Sequence, residues 1–234
     1  GFPAYLPSRL AEFYERAGRV TTLGGMEGSV TVIGAVSPPG GDFSEPVTQN
    51  TLRFVRCFWA LDASLAAARH FPAINWMQSY SQYLDSVGDW WHQHVAPDWR
   101  RLRDRAMDLL QQEDRLLQIA RLVGASALPD PQRLVLEMGR ILREGFLQQN
   151  ALHPVDTYST PHKQVAMLRA MLAFYERAQA IVERGAPIAT LHQLPALGEL
   201  VRLKSDVPNE NLGKIDEVAH ELAQQMDEME SEYV

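Results

Sequence analysis

The sequence predicts an α/β segment followed by an all-α segment, with the change near residue 80. Three observations carry this reading: a β-branched run from Val30 to Val36 set among helical stretches, a Gly/Pro-dense loop after it, and long apolar-periodic stretches from about Asp85 onward. The expected domains are 1–80 and 81–234.

In the first segment, "YLPSRLAEFYERAG" places Leu6, Leu10, Phe13 and Tyr14 at helical spacing and stops at Gly18. "SVTVIGAV" then reads as a strand buried on both faces, because its apolar residues do not alternate with polar ones. After the loop, "FVRCFWALD" offers a second short strand-like run and "ASLAAARHF" a good helix former. The stretch "VIGAVSPPGGDFSEPVTQNTLRF" between them sets Pro38, Pro39, Gly40, Gly41 and Asp42 together, too polar and too rich in turn formers for core.

In the second segment, "APDWRRLRDRAMDLLQQEDRLLQIARLVG" carries Leu102, Met107, Leu109, Leu110, Leu116, Leu117, Ile119 and Leu122 as an apolar stripe, closed by Gly124. "DPQRLVLEMGRILREGFLQQ" repeats the pattern after the break "ASALPDP". "PHKQVAMLRAMLAFYERAQAIVERG" and "NLGKIDEVAHELAQQMDEMESEYV" complete a bundle of about four to six helices.

Composition narrows the function. With 234 residues, 46% hydrophobic and 22% charged, the chain can bury its own core. A net charge of −7 argues against nucleic acid, since phosphate binding needs clustered Lys and Arg. The one dense basic run, Arg100, Arg101, Arg103 and Arg105, is short and broken by Asp104. The single cysteine, Cys57, has apolar neighbours and reads as a small buried hydrophobe. No apolar run reaches the length of a membrane span. The chain begins with Gly1 and is expected to be a piece of a longer one.

Catalytic motifs are missing. No GxxxxGK[ST] is present, since Gly213 and Lys214 are followed by Ile215, and there is no HExxH, GxSxG or GxGxxG after a strand. His92 and His94 in "WWHQHVAPDW" lack a third metal ligand and read as part of a Trp-rich packing corner. Neither a catalytic residue nor a metal site is assigned to this chain.

"GSVTVIGAVSPPGGDFSEPVTQNTLR" closely resembles a signature segment of the catalytic A-type subunit (alpha chain) of V-type and archaeal-type rotary ATPases. "GFPAYLPSRLAEFYERAGRV" before it, "FWALDASLAAARHFPAINWMQSYS" after it and "REGFLQQNALHPVDTYS" in the helical half resemble the same protein in the same order, so nearly the whole chain is covered. The resemblance implies the C-terminal edge of a P-loop-type nucleotide-binding domain followed by a C-terminal helical bundle. It implies ATP hydrolysis or synthesis coupled to proton or sodium transport, with ATP/ADP and Mg²⁺ whose phosphate and metal ligands lie outside this chain. This piece by itself is therefore expected to be inactive. The implied partners are B-type subunits in an alternating A3B3 ring, a central shaft and a peripheral stalk. The implied place is cytoplasmic, peripheral to a membrane met only through the ion-translocating sector.

Carried over residue by residue, the resemblance implies adenine contacts at Phe71, Phe146, Gln149 and Asn150. It implies a shaft-contacting loop at Ser126, Ala127, Leu128, Pro129 and Asp130, and a subunit-interface loop at Pro38, Pro39, Gly40, Gly41 and Asp42. A related non-catalytic subunit has Ser-Arg where this chain has Ser81 and Gln82, which implies that this chain receives an arginine finger. Read without the resemblance, Phe71 is core, Gln149 and Asn150 cap a helix end, and both loops are plain turns. A standalone helical interaction module with no nucleotide chemistry is then the alternative function. Both readings stand at this point.

Overall fold

The computed structural model describes residues 2–231 and 233, and the chain divides into two compact units. One holds the chain up to Ala60 together with Gln78–Leu84; the other holds Leu61–Met77 together with the chain from Asp85 onward.

In the first unit, α1 (Leu6–Tyr14) has Pro7 in its first turn, where a missing N–H costs nothing. β1 (Gly18–Thr21) and β2 (Glu27–Val30) form an antiparallel hairpin in which Gly18 faces Val30 and Thr21 faces Glu27. The turn is closed by Thr22, whose N–H and hydroxyl both donate to the Met26 carbonyl, and Gly25 supplies its φ of +77°. α2 (Pro46–Phe54) packs on α1 and is capped by Glu45, which accepts from the Thr48 N–H at 2.9 Å. Phe58 sits between Phe43 and Tyr80, both at 5.8 Å between ring centroids, and the Tyr80 hydroxyl donates to the Leu52 carbonyl.

Two expectations fail here. The strand expected over Val30–Val36 is absent beyond Val30, and Ile33 is 81% exposed. A strand buried on both faces needs neighbours and covering layers, and among the described residues β1 pairs only with Glu27–Val30. Cys57 is exposed, not buried. It opens β3 (Cys57–Leu61), on which Trp59 and Leu61 are also exposed. Apolar neighbours in sequence bury a residue only where another layer packs on the strand.

α3 (Ala63–Ala67) and β4 (Ile74–Ser81) follow, β4 pairing with β3. The helix is only five residues long, and its Asp62 cap accepts from the N–H groups of Ser64 and Leu65 and from the Asn75 carboxamide. The hydrogen bond from the Ser64 hydroxyl, then that from Asn75, hold the Asp62 carboxyl down at about 2.

In the second unit, α4 (Leu84–His94) leads into a corner where Trp91 lies 5.1 Å from Trp99 and Trp90 stacks on His94 at 5.0 Å. His92 and His94 thus stand exposed on a helix, His94 stacked on Trp90 and the His92 ring hydrogen-bonded to the Pro97 carbonyl. α5 (Trp99–Val123) buries Leu102, Leu109 and Leu110 and ends at Gly124, whose φ of +87° and N–H bond to Ala120 close the helix as expected. Ile119 and Leu122, at its far end, are exposed. α6 (Asp130–Leu142) crosses α5 at Gly139, where a side-chain Cβ would collide with the Glu113 carboxylate. Glu113 is buried and ion-paired with Arg143.

α7 (Pro161–Glu183) starts at its Thr160 cap and buries Met167, Met171, Phe174, Ala178 and Ile181 along one stripe. α8 (Ile188–Leu191), α9 (Pro195–Asp206) and α10 (Gly213–Ser231) complete the unit. α5 packs on α6 and α7, α6 on α7, and α10 on α7 and α9.

Candidate functional site

The four residues expected at adenine lie in the second unit, on two loops. One loop, after α3, carries Arg69, His70 and Phe71. The other starts where α6 widens into a π-helical turn, Arg143–Leu147, and runs through Asn150. The turn needs Gly145, since a Cβ there would stand 3.2 Å from the Val201 carbonyl of α9 and 2.9 Å from the Met171 methyl. The extra residue of a π turn ends the helix early and redirects the chain.

Two hydrogen bonds clamp the loops together. The Gln149 N–H donates to the Phe71 carbonyl at 2.7 Å, and the Gln148 carboxamide donates to the Arg69 carbonyl at 3.3 Å. Between these two points His70 is buried, with its ring 5.6 Å from Trp76. Burial, then the charges of Lys204 and Arg143, push the His70 imidazole below its usual 6.5 and favour its neutral form. Phe71, next in the chain, is 52% exposed. An exposed aromatic on a loop tied down through its backbone is the element a stacking site needs.

The second loop is shaped by its own polar groups. The Gln149 carboxamide donates to the carbonyls of Asp156 and Thr157, at 2.8 and 3.3 Å. The Asn150 N–H donates to the buried Asp156 carboxylate at 2.7 Å, and its side-chain oxygen accepts from the Leu152 N–H. Phe146 is half-buried within the π turn. Phe71, Gln149 and Asn150 are thus brought together through backbone and loop contacts.

The other two loops have separate places. Pro39–Gly41 forms a single 3₁₀ turn in the first unit, with φ of +64° at Gly40 and +74° at Gly41. These are positions where glycine is required. Pro38 is half-buried, and Asp42 accepts from the Ser44 N–H at 2.9 Å. In the second unit Ala125–Ala127 forms a 3₁₀ turn, Ser126, Ala127 and Pro129 are exposed, and Leu128 is buried. Asp130 anchors this loop by accepting from the Ile188 N–H and from Arg133. An open groove of about 470 Å³ bordered by Glu137, Arg140, His192 and Arg202 contains none of the expected site residues.

Sequence reading missed His70, Gln148, Asp156 and Lys204. His70 and Gln148 adjoin residues it singled out. Lys204 left a fainter trace, being one of three lysines in the chain. Among the described residues no group of three or more His, Cys, Asp or Glu stands together as a metal site would require. No described helix is long and apolar enough to cross a membrane.

Comparison with known proteins shows what the chain is similar to. Residues 1–81 match the nucleotide-binding domain of the ATP synthase alpha/beta family, and residues 88–192 match the C-terminal domain of V and A type ATP synthase. The A-subunit of the A-type ATP synthase of Methanopyrus kandleri is 57% identical over 98% of this chain and 39% of its own length. That of Thermococcus onnurineus is 61% identical over 87% and 35%, and the V-type ATP synthase alpha chain of Halothermothrix orenii 55% over 93% and 37%. The chain thus spans about two fifths of the length of these relatives. The solved structure of the ATP synthase subunit NeqB of Nanoarcheaum equitans matches with a TM-score of 0.62 at 21% identity, covering 74% of this chain and 40% of that one. It shares the fold. Matched in tandem by two family domains and from end to end by relatives, this chain is similar throughout its length to the A subunits of A-type ATP synthases.

Proposed function

We propose that the chain is the C-terminal portion of the catalytic, ATP-hydrolysing and ATP-synthesising subunit of a V/A-type ion-translocating rotary ATPase. Residues 1–80 are taken as the C-terminal part of its nucleotide-binding domain and 81–234 as the helical domain. The observation that supports this most is the exposed Phe71 ring on a loop hydrogen-bonded through its backbone to Gln149. In this reading Phe71 supplies the stacking face for adenine. Phe146, Gln149 and Asn150 form the loop at the base edge, and the hydrogen bonds to Asp156 and Thr157 hold its shape.

Mg²⁺ and the nucleotide phosphates are held by residues outside this chain. Ser126 to Asp130 contact the central shaft, and Pro38 to Asp42 the neighbouring B-type subunit of an alternating A3B3 ring, with a peripheral stalk beyond. The assembly sits at the cytoplasmic side of a membrane crossed by other subunits. A standalone helical interaction module draws no support, since residues 1–81 match a nucleotide-binding domain.

The test is ATP-analogue binding by the full-length protein assembled with its B-type partner. Phe71→Ala is expected to cost about 1–3 kcal/mol of affinity, the range for a stacking aromatic. Unchanged affinity in a folded assembly returns Phe71 to a packing role, and no nucleotide binding by the assembled pair overturns the motor reading.

A further inference from the structure

We propose that Lys204 is a positioning residue for adenine recognition, fixing the loop of Phe146, Gln149 and Asn150 through its bonds to the carbonyls of Glu144 and Gln148. The proposal rests on the adenine reading given above and extends it to a group that does not touch the nucleotide.

The geometry converges on this side chain. The Lys204 ammonium, from α9, donates to the Glu144 and Gln148 carbonyls, each at 2.6 Å. These oxygens lie at the C-terminal end of α6 and its π turn, where carbonyls run out of helical partners and carry partial negative charge. A cation there satisfies both at once. Gly145 brings the same turn against the backbone of Val201, one helical turn before Lys204, so the ammonium reaches the carbonyls without crossing open space. From α7, the ammonium of Lys163, fully buried, donates to the Lys204 backbone carbonyl at 2.8 Å and holds the α9 backbone at that residue. Burial pulls the titration of both ammoniums below the ordinary lysine value, and Asp156 opposes this in each.

The use of charge is unusual for this chain. Of its three lysines, Lys214 pairs with Glu217 at 3.3 Å, whereas among the described residues neither Lys163 nor Lys204 forms an ion pair with a carboxylate. Both donate to backbone carbonyls instead, Lys204 to those of Glu144 and Gln148 and Lys163 to that of Lys204 in α9. Gln148, held at its carbonyl by Lys204, is followed at once by Gln149, whose N–H grips Phe71. A shift of Gln148 therefore moves the base-edge residues relative to the stacking ring. Adenine and guanine present opposite donors and acceptors along that edge, so misplaced edge groups lower discrimination before they abolish binding.

The experiment measures ATP and GTP affinities of the full-length protein assembled with its B-type partner, for wild type, Lys204→Met, Lys204→Arg and Phe71→Ala. Lys204→Met keeps the aliphatic stem and is expected to reduce the preference for ATP over GTP about tenfold, while Lys204→Arg retains most of it. If Lys204→Met leaves the ATP-to-GTP ratio unchanged while Phe71→Ala weakens ATP binding, Lys204 is merely structural and the proposal is overturned with the adenine site intact. If Phe71→Ala has no effect, the adenine reading falls and takes the proposal with it. Where Lys204→Met does not assemble, Lys204→Gln, too short to bridge both carbonyls, is read by the same ratio with the same outcomes.

Discussion

Arg69 adopts a φ of +58°, in the left-handed region that a non-glycine side chain enters at a cost of about 1 kcal/mol or more. Its carbonyl accepts from Gln148, so the strained residue sits at one of the two points where the candidate site is clamped. Arg69→Gly is expected to leave stability unchanged or raise it by up to about 1 kcal/mol in urea unfolding, and a clear loss would show that the arginine side chain matters more than its backbone. His70, beside it, makes stability pH-dependent. Folding lowers its pKa, so the unfolded chain binds that proton more tightly. Its contribution is complete above the ordinary 6.5 and is lost as pH falls from there through the depressed folded value. The unfolding midpoint of wild type is therefore expected to fall more steeply than that of His70→Gln over this acid window, and parallel curves would refute it. Replacing the Asp62 cap by Ala is expected to cost about 1 kcal/mol, measured as a lower urea midpoint with unchanged slope.

Among the elements, the π turn between α6 and the Gln148 loop decides most about the site. Without it α6 would continue past Leu147, and Gln149 could not reach the Phe71 carbonyl. The turn is tolerated because Gly145 lets it approach Val201 and Met171. Gly145→Ala is expected to destabilise by about 1–3 kcal/mol through overpacking, since the Val201 carbonyl belongs to helix backbone and moves less freely than the Met171 methyl. Thermal unfolding checks this; an unshifted midpoint would mean that α9 yields. The long helices themselves were legible from periodicity. Gly124 stops α5 where expected, and the buried stripe of α7 follows its apolar spacing. α2 and β4 were not legible, because "PVTQNTLRF" carries strong turn formers just before it and "INWMQSYS" mixes apolar and amide residues. The Val30–Val36 strand was misread for a different reason: its residue types suit a strand, but pairing is supplied by neighbours, not by the segment itself.

Across the molecule, burial is uneven. The core residues are concentrated in α5, α6, α7, α9 and α10, whereas Val20, Met26, Ile33, Trp59 and Leu61 stand exposed. Native-state hydrogen exchange on this chain is expected to protect the amides of α6 and α7 about a hundredfold or more beyond those of residues 18–38, and equal protection would contradict the packing described. The grouping of residues 61–77 with the helical unit sets Phe71 in the same compact body as Gln149, as the proposed adenine site requires. The sequence by itself determined the class of each half, the helical stripes, the glycine stops and the family resemblance, since these depend on local periodicity, turn chemistry and motif order. Only the tertiary structure decided that Val30–Val36 lies open, that Cys57 is exposed, and that Lys204 turns its charge onto two carbonyls of one loop while Lys163 turns its own onto the α9 backbone. Those outcomes depend on which distant segments come to lie against each other, and no local pattern of residue types specifies that.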